Sequence, residues 1–206
     1  MAITRLGGAN AITGTIPVAN GGTGVTTAAA LANTGNLVKL SSTTLSSAAA
    51  NIDFNSSVVT GYNTYKVNVR NLGGASDAFD TVIKFSVDNG SNFLTTRNSA
   101  NYNYIDSNTS GVDASSMQGV GLVVAIDSEA DQRVFGDMIL WLSEKRPCAL
   151  GHTINGDHYS ASYGYYYLSG CEILTDNAAI NFLRITNNDG SNLTSGTQVT
   201  LYGVVE

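Results

Sequence analysis

The aromatic residues divide this chain into two unequal parts. All ten Tyr, all six Phe and the single Trp lie at or after Phe54, so residues 1–53 contain no aromatic side chain. Without large apolar side chains, this first part cannot bury enough surface to offset a backbone ordering cost of about 1–2 kcal/mol per residue. It is also rich in glycine, at positions 7, 8, 14, 21, 22, 24 and 35. We therefore expect residues 1–50 to form an extended stalk that is ordered only against other chains.

A short helix is predicted inside the stalk. Thr26 or Thr27 is a candidate N-cap for the run Ala28–Ala32, and Gly35 is a candidate helix end. Such a helix would have about two turns, which is too short to be stable alone. A second Ala- and Ser-rich stretch, residues 46–51, is either another helical turn or a linker.

After Phe54 the apolar pattern changes to a period of two, which is typical of strands with one buried face. Tyr65, Val67 and Val69 alternate with polar residues. The turn signal Asp88-Asn89-Gly90-Ser91 predicts a hairpin whose return strand starts at Phe93 and Leu94. Further strands are predicted at Val82–Val87, Gly119–Ile126 (as a central strand), Val134–Leu142, Tyr159–Leu168, Ile180–Ile185 and Val199–Val205.

This succession of short strands without a long helix predicts an all-β fold. About eight strands with short turns favour a jelly-roll-like β-sandwich over residues 51–206, and an up-and-down barrel is the alternative. The expected organisation is a stalk of residues 1–50 followed by a β-sandwich head.

Charge and hydropathy restrict the partners. Charged residues make up 13% of the chain, the net charge is −6, and no basic run occurs, so nothing indicates nucleic-acid binding. No stretch of about 18 apolar residues is present, so we expect no membrane insertion. No secretory signal is visible either. A polar, weakly charged surface without an export signal suits a virion protein that is made in the host cytoplasm and released by lysis.

Several strings resemble those of bacteriophage tail fibre proteins. IPVANGGTGVTTAAA at Ile16–Ala30 is similar to a motif common in phage tail fibre and tail collar proteins. The strings YKVNVRNL, KFSVDNGSNF, FGDMILWLSEKRP and LRITNNDGSNLTSGTQVTLYGV resemble the sandwich domain that ends many such fibres. The residues that carry the first motif are Val18, Asn20, Gly21, Gly22, Thr23 and Gly24.

The resemblance implies a homotrimeric fibre on the virion surface, anchored to another virion protein through residues 1–50. It implies a tail fibre that attaches to a bacterial surface glycan or protein. The alternative is a capsid-bound fibre or decoration protein with a mainly structural role. Residues 98–118 and 152–170 match no part of the family pattern, and we expect them to read the target.

The candidate ligand contacts come from these two unmatched stretches. A Tyr side chain offers a flat apolar face together with a hydroxyl. We select Tyr104 and Tyr166 as contacts, with Asp157 and His158 as polar neighbours, on loops spanning Asn101–Ser116 and His152–Tyr167. The alternative is that the Tyr side chains fill the core or a threefold contact. The full Tyr cluster is Tyr102, Tyr104, Tyr159, Tyr163, Tyr165, Tyr166 and Tyr167.

No catalytic group is predicted. The acidic cluster Asp127, Glu129 and Asp131 is interpreted as a solvated turn, and an acid site or calcium site is the alternative. No Gly-x-Ser-x-Gly sequence occurs. We therefore expect a binding protein and not an enzyme, and no cofactor.

No metal site is predicted either. Cys148, His152, His158 and Cys171 lie close together in the sequence, but their spacing matches no zinc pattern. The two His are interpreted as loop residues. The two Cys are interpreted as free thiols, with a disulfide as the alternative.

Overall fold

The computed structural model describes residues 36–74, 79–94, 96–104, 110–113, 116–117, 119–126, 133–142, 148–156, 163–173 and 179–205. For residues 79–80, 96–104, 110–113, 116–117, 120, 123–126, 148–156 and 163–173 it describes the backbone only. These parts of the chain form β-strands and contain no helix. The strands are β1 (Leu37–Thr44), β2 (Asn51–Phe54), β3 (Thr64–Leu72), β4 (Phe79–Ser86), β5 (Thr96–Tyr104), β6 (Ser110–Asp113), β7 (Ser116–Met117), β8 (Val120–Ile126), β9 (Arg133–Trp141), β10 (Cys148–Gly156), β11 (Tyr163–Ile173), β12 (Phe182–Asn187) and β13 (Gln198–Val204).

The strands form two antiparallel sheets. The larger sheet has the order β1-β13-β3-β9-β10-β11-β5-β6, and β7 also pairs with β5. The smaller sheet has the order β2-β12-β4-β8. The predicted all-β class is therefore confirmed for the part of the chain that the structure describes.

The two sheets share one hydrophobic core, as in a β-sandwich. The predicted alternation in β3 is confirmed, because Tyr65, Val67 and Val69 are buried whereas Lys66 and Asn68 between them are only half-buried. Each fully buried side chain of this size stabilises the fold by about 1.5–3 kcal/mol. The smaller sheet contributes Ile52, Phe54, Ile83, Phe85, Leu183 and Ile185, and the larger sheet contributes Val67, Val69, Val134, Met138, Leu140, Val199 and Leu201.

The predicted turn after β4 forms, but the predicted return strand is wrong. Asn89 and Gly90 adopt φ values of 58° and 89°, as a tight turn requires. Leu94 then donates one backbone hydrogen bond to Phe85, at 2.9 Å. The chain does not continue along β4, whose neighbours are β12 and β8. It crosses to the larger sheet and begins β5 at Thr96.

Phe93 lies outside the strands, and its ring packs against Arg184 and Phe182 of β12 in the smaller sheet. The Arg184 guanidinium carbon lies 4.9 Å from the centroid of the Phe93 ring and 5.6 Å from that of Phe182. Arg184 also donates two hydrogen bonds to the Asp53 carboxylate, at 2.8 and 2.7 Å. These contacts fix the crossing segment against β12.

Residues 120–126 form the predicted strand, β8, but the prediction that it is a central strand is wrong. Among the strands that the structure describes, β8 lies at the end of the smaller sheet, beside β4. Its backbone also lies against β5, β10 and β11 of the larger sheet. The apolar sequence of β8 is therefore explained by its position against the opposite sheet, although it lies at the end of its own sheet.

The compact unit begins before the predicted boundary at residue 50. One unit comprises Lys39–Val204, and the other comprises Met1–Val38 with Val205–Glu206. Within the larger unit, the Leu40 and Leu45 side chains pack against the core. Within the smaller unit, the Val205 amide donates to the Asn36 carbonyl at 2.9 Å. Residues 39–50, which the sequence analysis assigns to the stalk, thus lie in the same unit as the sheets.

The two predicted helical stretches have different outcomes. The helix at residues 26–35 lies outside the described residues. The stretch at residues 46–50 is a non-helical connection between β1 and β2. Within it, Ala49 forms an isolated antiparallel bridge with Leu193 in the β12–β13 connection.

Candidate functional site

The backbone brings the two predicted ligand contacts onto neighbouring strands of the larger sheet. Tyr104 ends β5 and lies opposite Gly164 of β11. Tyr166 of β11 lies between Tyr102 of β5 and Thr153 of β10. The predicted polar neighbours Asp157 and His158 lie outside the described residues, as does the motif Val18–Gly24.

The two target-reading stretches are not loops throughout, and that part of the prediction is wrong. Residues 101–116 include the end of β5, all of β6 and the start of β7. Residues 152–167 include parts of β10 and β11. These strands extend the larger sheet beyond β9. The strand predicted at Tyr159–Leu168 overlaps β11, whereas the other segments lack a period of two in the sequence, yet their backbones still pair.

Two other sequence-predicted features are placed only in part. The acidic cluster at residues 127–131 lies outside the described residues, and within those residues no group of three His, Cys, Asp or Glu could hold a metal ion. Cys148 lies opposite Glu172, whereas Cys171 lies opposite Ala149, so the two cysteines are not direct cross-strand partners. No helix in the described ranges is long and apolar enough to cross a membrane.

A cleft of about 280 Å³, which the sequence analysis did not predict, lies at one end of the sandwich. It lies between the β2–β3 loop, the end of β9 and the residues that precede β12. Among the residues that the structure describes, no charged side chain lines it. The lining residues are Val59, Thr60, Gly61, Tyr62, Asn63, Tyr65, Leu142, Ala179, Ile180 and Asn181.

Two tyrosines form the aromatic part of the cleft. The Tyr62 and Tyr65 rings meet edge to face, with centroids 6.0 Å apart and an interplanar angle of 72°. The Tyr62 ring also lies flat on Gly203, where an added Cβ would stand 2.6 Å from three of its ring carbons. Burial raises the pKa of the Tyr65 hydroxyl, and a hydrogen bond with the Tyr62 backbone opposes this to a lesser extent. The Tyr65 hydroxyl is therefore protonated at neutral pH.

The β2–β3 loop that forms one wall is fixed by Asn55. The Asn55 side-chain oxygen accepts hydrogen bonds from the Ser57 amide at 3.1 Å and from the Ser57 hydroxyl at 2.6 Å. The Asn55 carbonyl accepts from the amides of Val58 and Val59, both at 2.9 Å. Gly61, at φ 81°, then turns the chain into Tyr62.

Two further asparagines tie three loops together at this end. Ser56 donates its amide to the Asn89 side chain at 3.1 Å, and Asn89 donates its own amide to the Asn181 side chain at 3.0 Å. The Asn181 amide nitrogen donates to the Val87 carbonyl at 3.0 Å. The cleft wall is thus held before any ligand arrives, which lowers the entropic cost of binding.

The chemistry of this lining is that of a binding site for a small neutral molecule. Val59, Leu142 and Ile180 belong to the buried core and form the apolar part of the lining, and the half-buried Tyr62 supplies flat aromatic surface. Asn63, Asn181 and Thr60 supply amide and hydroxyl groups that can both donate and accept hydrogen bonds. Pockets of this kind, mostly apolar with a few polar groups, are typical ligand sites.

Sequence reasoning missed the cleft because its residues come from three distant segments. Val59 to Tyr65, Leu142 and Ala179 to Asn181 meet only once both sheets have formed. The one local signal is Gly61-Tyr62-Asn63, a turn glycine beside an aromatic residue immediately before a strand.

Comparison of the chain with protein-family models, with curated proteins and with solved structures found no match.

Proposed function

We propose that this chain is a bacteriophage virion fibre protein: a trimeric tail fibre that attaches to the bacterial surface through a jelly-roll head. The alternative is a capsid-bound fibre or decoration protein with a mainly structural role. The proposal combines the order of the strands with the resemblance of residues 16–30 and of the head strings to phage fibre sequences.

The strand order is the structural observation that supports the jelly-roll head in this proposal. Eight strands form two four-stranded sets, β1-β13-β3-β9 and β2-β12-β4-β8. In each set, strands from the first half of the chain alternate with strands from the second half. Successive strands of these eight change sheet, except β4 and β8, which pair with each other. This interleaving is what two nested Greek keys produce, and it supports a jelly roll.

The remaining strands then become insertions in the eight-stranded framework. Strands β5 to β7 lie between β4 and β8 in the sequence, and β10 and β11 lie between β9 and β12. Both insertions join the larger sheet. They contain the stretches that differ from the family pattern, so in this proposal they are the variable part of the head.

A jelly roll is compatible with both a virion role and a binding role. Viral capsid and lectin domains both use this architecture. Since a fold alone does not specify a function, the phage assignment depends on the motif Val18–Gly24, which in this proposal anchors the trimer to another virion protein. The chain would be made in the host cytoplasm and carried on the particle.

The proposed role is binding, without catalysis. Three carboxylates of the described residues are engaged within the fold: Asp53 with Arg184, Asp88 with Asn92, and Asp137 with Lys66 at 3.1 Å. The described residues that line the cleft at the β2–β3 end include no carboxylate. Its lining supports recognition of a ligand more than proton transfer to it.

Immunogold electron microscopy tests the proposal. Antibodies against the purified head would be applied to phage particles from cultures that produce this chain. We expect labels at the tail. Labels on the capsid would support the alternative, and unlabelled particles, with antibody that still binds the purified chain, would contradict both.

A further inference from the structure

We propose that the cleft at the β2–β3 end of the sandwich binds one ring of a neutral saccharide. The proposal deepens the function proposed above, because it names the site and the ligand class through which the head would attach to a bacterial surface glycan. The cleft is distinct from the predicted contacts Tyr104 and Tyr166, for which the sequence predicts loops at Asn101–Ser116 and His152–Tyr167.

Charge argues for a neutral ligand. In the part of the chain that the structure describes, ten residues line the cleft, and none of them is Lys, Arg, His, Asp or Glu. A buried charge on the ligand would therefore lose its hydration without gaining a partner, which costs several kcal/mol. The net charge of the chain is −6, which further disfavours anionic ligands such as uronic acids.

Size argues for a single ring. Sites for drug-sized molecules usually measure roughly 300–1,000 Å³. The cleft, at about 280 Å³, lies just below that range. A pyranose ring is compact, and it has an apolar C–H face as well as a rim of hydroxyls. Tyr62, Leu142 and Ile180 can pack against the C–H face of the sugar ring. Asn63, Asn181 and Thr60 can form hydrogen bonds with its hydroxyls.

Hydrogen-bonding chemistry agrees with a ligand rich in hydroxyls. An Asn side chain carries two N–H donors and a carbonyl acceptor, so it can bind two adjacent hydroxyls at once. Asn181 uses one N–H on Val87, and its amide nitrogen has a second. Because Asn181 is held from two sides, by Val87 and Asn89, its amide has a fixed orientation before binding.

An extended peptide fits this cleft less well. Peptides that add to a sheet need a strand with an unpaired edge. The strand that enters the cleft, β3, pairs with β13 on one side and with β9 on the other. No backbone edge of β3 is therefore offered to a peptide at this site.

Saturation-transfer difference NMR on the full-length chain tests the proposal. The probes are millimolar glucose, galactose, N-acetylglucosamine and rhamnose, with glucuronic acid as a charged counterpart and N-acetyl-leucinamide as an apolar peptide-like counterpart. We expect signals from at least one neutral sugar, and weaker or no signals from the two counterparts.

Ala179→Trp is the blocking variant, because Ala179 is exposed and lines the cleft. The matched control is Ala48→Trp. Ala48 is also exposed, and it lies in the β1–β2 connection at the other end of the sandwich. We expect Ala179→Trp to weaken sugar binding at least about tenfold, and Ala48→Trp to leave it unchanged.

Gly203→Ala provides a second test, because Gly203 packs directly against the Tyr62 ring that lines the cleft. The added methyl group would collide with the Tyr62 ring and displace it. We expect weaker sugar binding while thermal melting stays cooperative. Absence of sugar binding by the native chain, binding that survives Ala179→Trp, or binding of N-acetyl-leucinamide alone would each overturn the proposal.

The sugar-binding experiments and the immunogold experiment can fail independently of each other. If immunogold places the chain on the particle but Ala179→Trp leaves both sugar binding and attachment to host cells intact, the fibre proposal stands and the cleft proposal fails. If sugars bind in the cleft but no particle is labelled, the cleft proposal stands and the fibre proposal fails.

Discussion

Asp88 shows how one side chain sets the conformation of a turn. Its Oδ1 accepts hydrogen bonds from the Ser86 hydroxyl at 2.6 Å and from the Asn92 amide at 2.9 Å. Its Oδ2 accepts from the Asn92 side chain at 2.7 Å. These bonds, with the Ser86 bond as the largest cause, lower the pKa of Asp88 from 3.8 to about 2. The carboxylate form therefore stabilises the folded turn.

This lowered pKa predicts a stability contribution that depends on pH. A group whose pKa is lower in the folded state stabilises the fold above its unfolded pKa and loses that contribution as the pH falls through its folded pKa. The loss should therefore occur between pH 3.8 and about pH 2. Urea unfolding of the native chain and of Asp88→Ala should differ at pH 7, with the difference shrinking across that window. A difference that is constant from pH 7 to pH 2 would contradict the assignment.

Asn187 is a buried polar residue that joins β4 to the β12–β13 connection. It is 2% exposed. Its side-chain oxygen accepts from the Thr81 hydroxyl at 2.7 Å, and its nitrogen donates to the Ser191 hydroxyl at 3.0 Å and to the Asn192 carbonyl at 3.2 Å. Asn187→Ala would leave the fully buried Thr81 hydroxyl without this acceptor.

We therefore expect Asn187→Ala to lower the free energy of unfolding by about 1–3 kcal/mol, the usual cost of an unsatisfied buried polar group. Denaturant titration would measure this loss. In the double variant with Thr81→Val the hydroxyl is absent, so part of the loss should be recovered. A double variant whose loss equals the sum of the two single losses would show that the hydrogen bond contributes nothing.

At the scale of elements, β1 is the strand that most affects where the head begins. It pairs with β13, and the Ser42 hydroxyl lies 2.8 Å from the Thr200 hydroxyl across that pair. Leu40 and Leu45 pack against the core. The Leu45 amide donates to the Thr197 carbonyl at 2.9 Å. Removal of this strand would uncover core side chains and the edge of β13.

Two deletions should therefore behave differently. A chain that lacks residues 1–35 keeps β1, and we expect it to melt cooperatively with a β-type circular dichroism spectrum. A chain that lacks residues 1–50 loses β1, and we expect it to be less stable by about 2–4 kcal/mol or to aggregate. Equal melting temperatures for the two chains would show that the head begins after residue 50, as the sequence predicts.

The strands that sequence reasoning identified are those that bury one face in the shared core. Tyr65, Val67 and Val69 signal β3 because polar residues separate them. In β1, the sequence Leu-Val-Lys-Leu-Ser-Ser-Thr-Thr has no such alternation, and it lies in the aromatic-free part of the chain. The strand predicted at Tyr159–Leu168 overlaps β11. Strands β5 and β10 contain Asn, Ser and Gly, which are typical of turns. These strands are held by backbone hydrogen bonds to their neighbours. Their side chains have no alternating apolar pattern from which a strand could be predicted.

At the scale of the whole molecule, exposed apolar side chains indicate where further contacts could form. Phe135, the third residue of β9, is 50% exposed. Val134 before it is buried in the core, and Gly136 after it is half-buried. Because successive side chains of a strand point to opposite faces, the Phe135 ring lies on the outer face of the larger sheet. Single exposed apolar side chains are common on protein surfaces, so Phe135 is a contact to test only if the head itself proves to be trimeric.

The whole-molecule prediction is a homotrimer that depends on residues 1–35. These residues have no aromatic side chain, and a segment of this composition gains enough buried surface only against partner chains. Sedimentation equilibrium of the full chain at micromolar concentration should give three times the 21.5 kDa of one chain, and deletion of residues 1–35 should give the monomer mass. If the deletion remains trimeric, the contact lies in the head, and Phe135→Ser should then dissociate it. A monomeric full chain would contradict the trimer for the isolated protein.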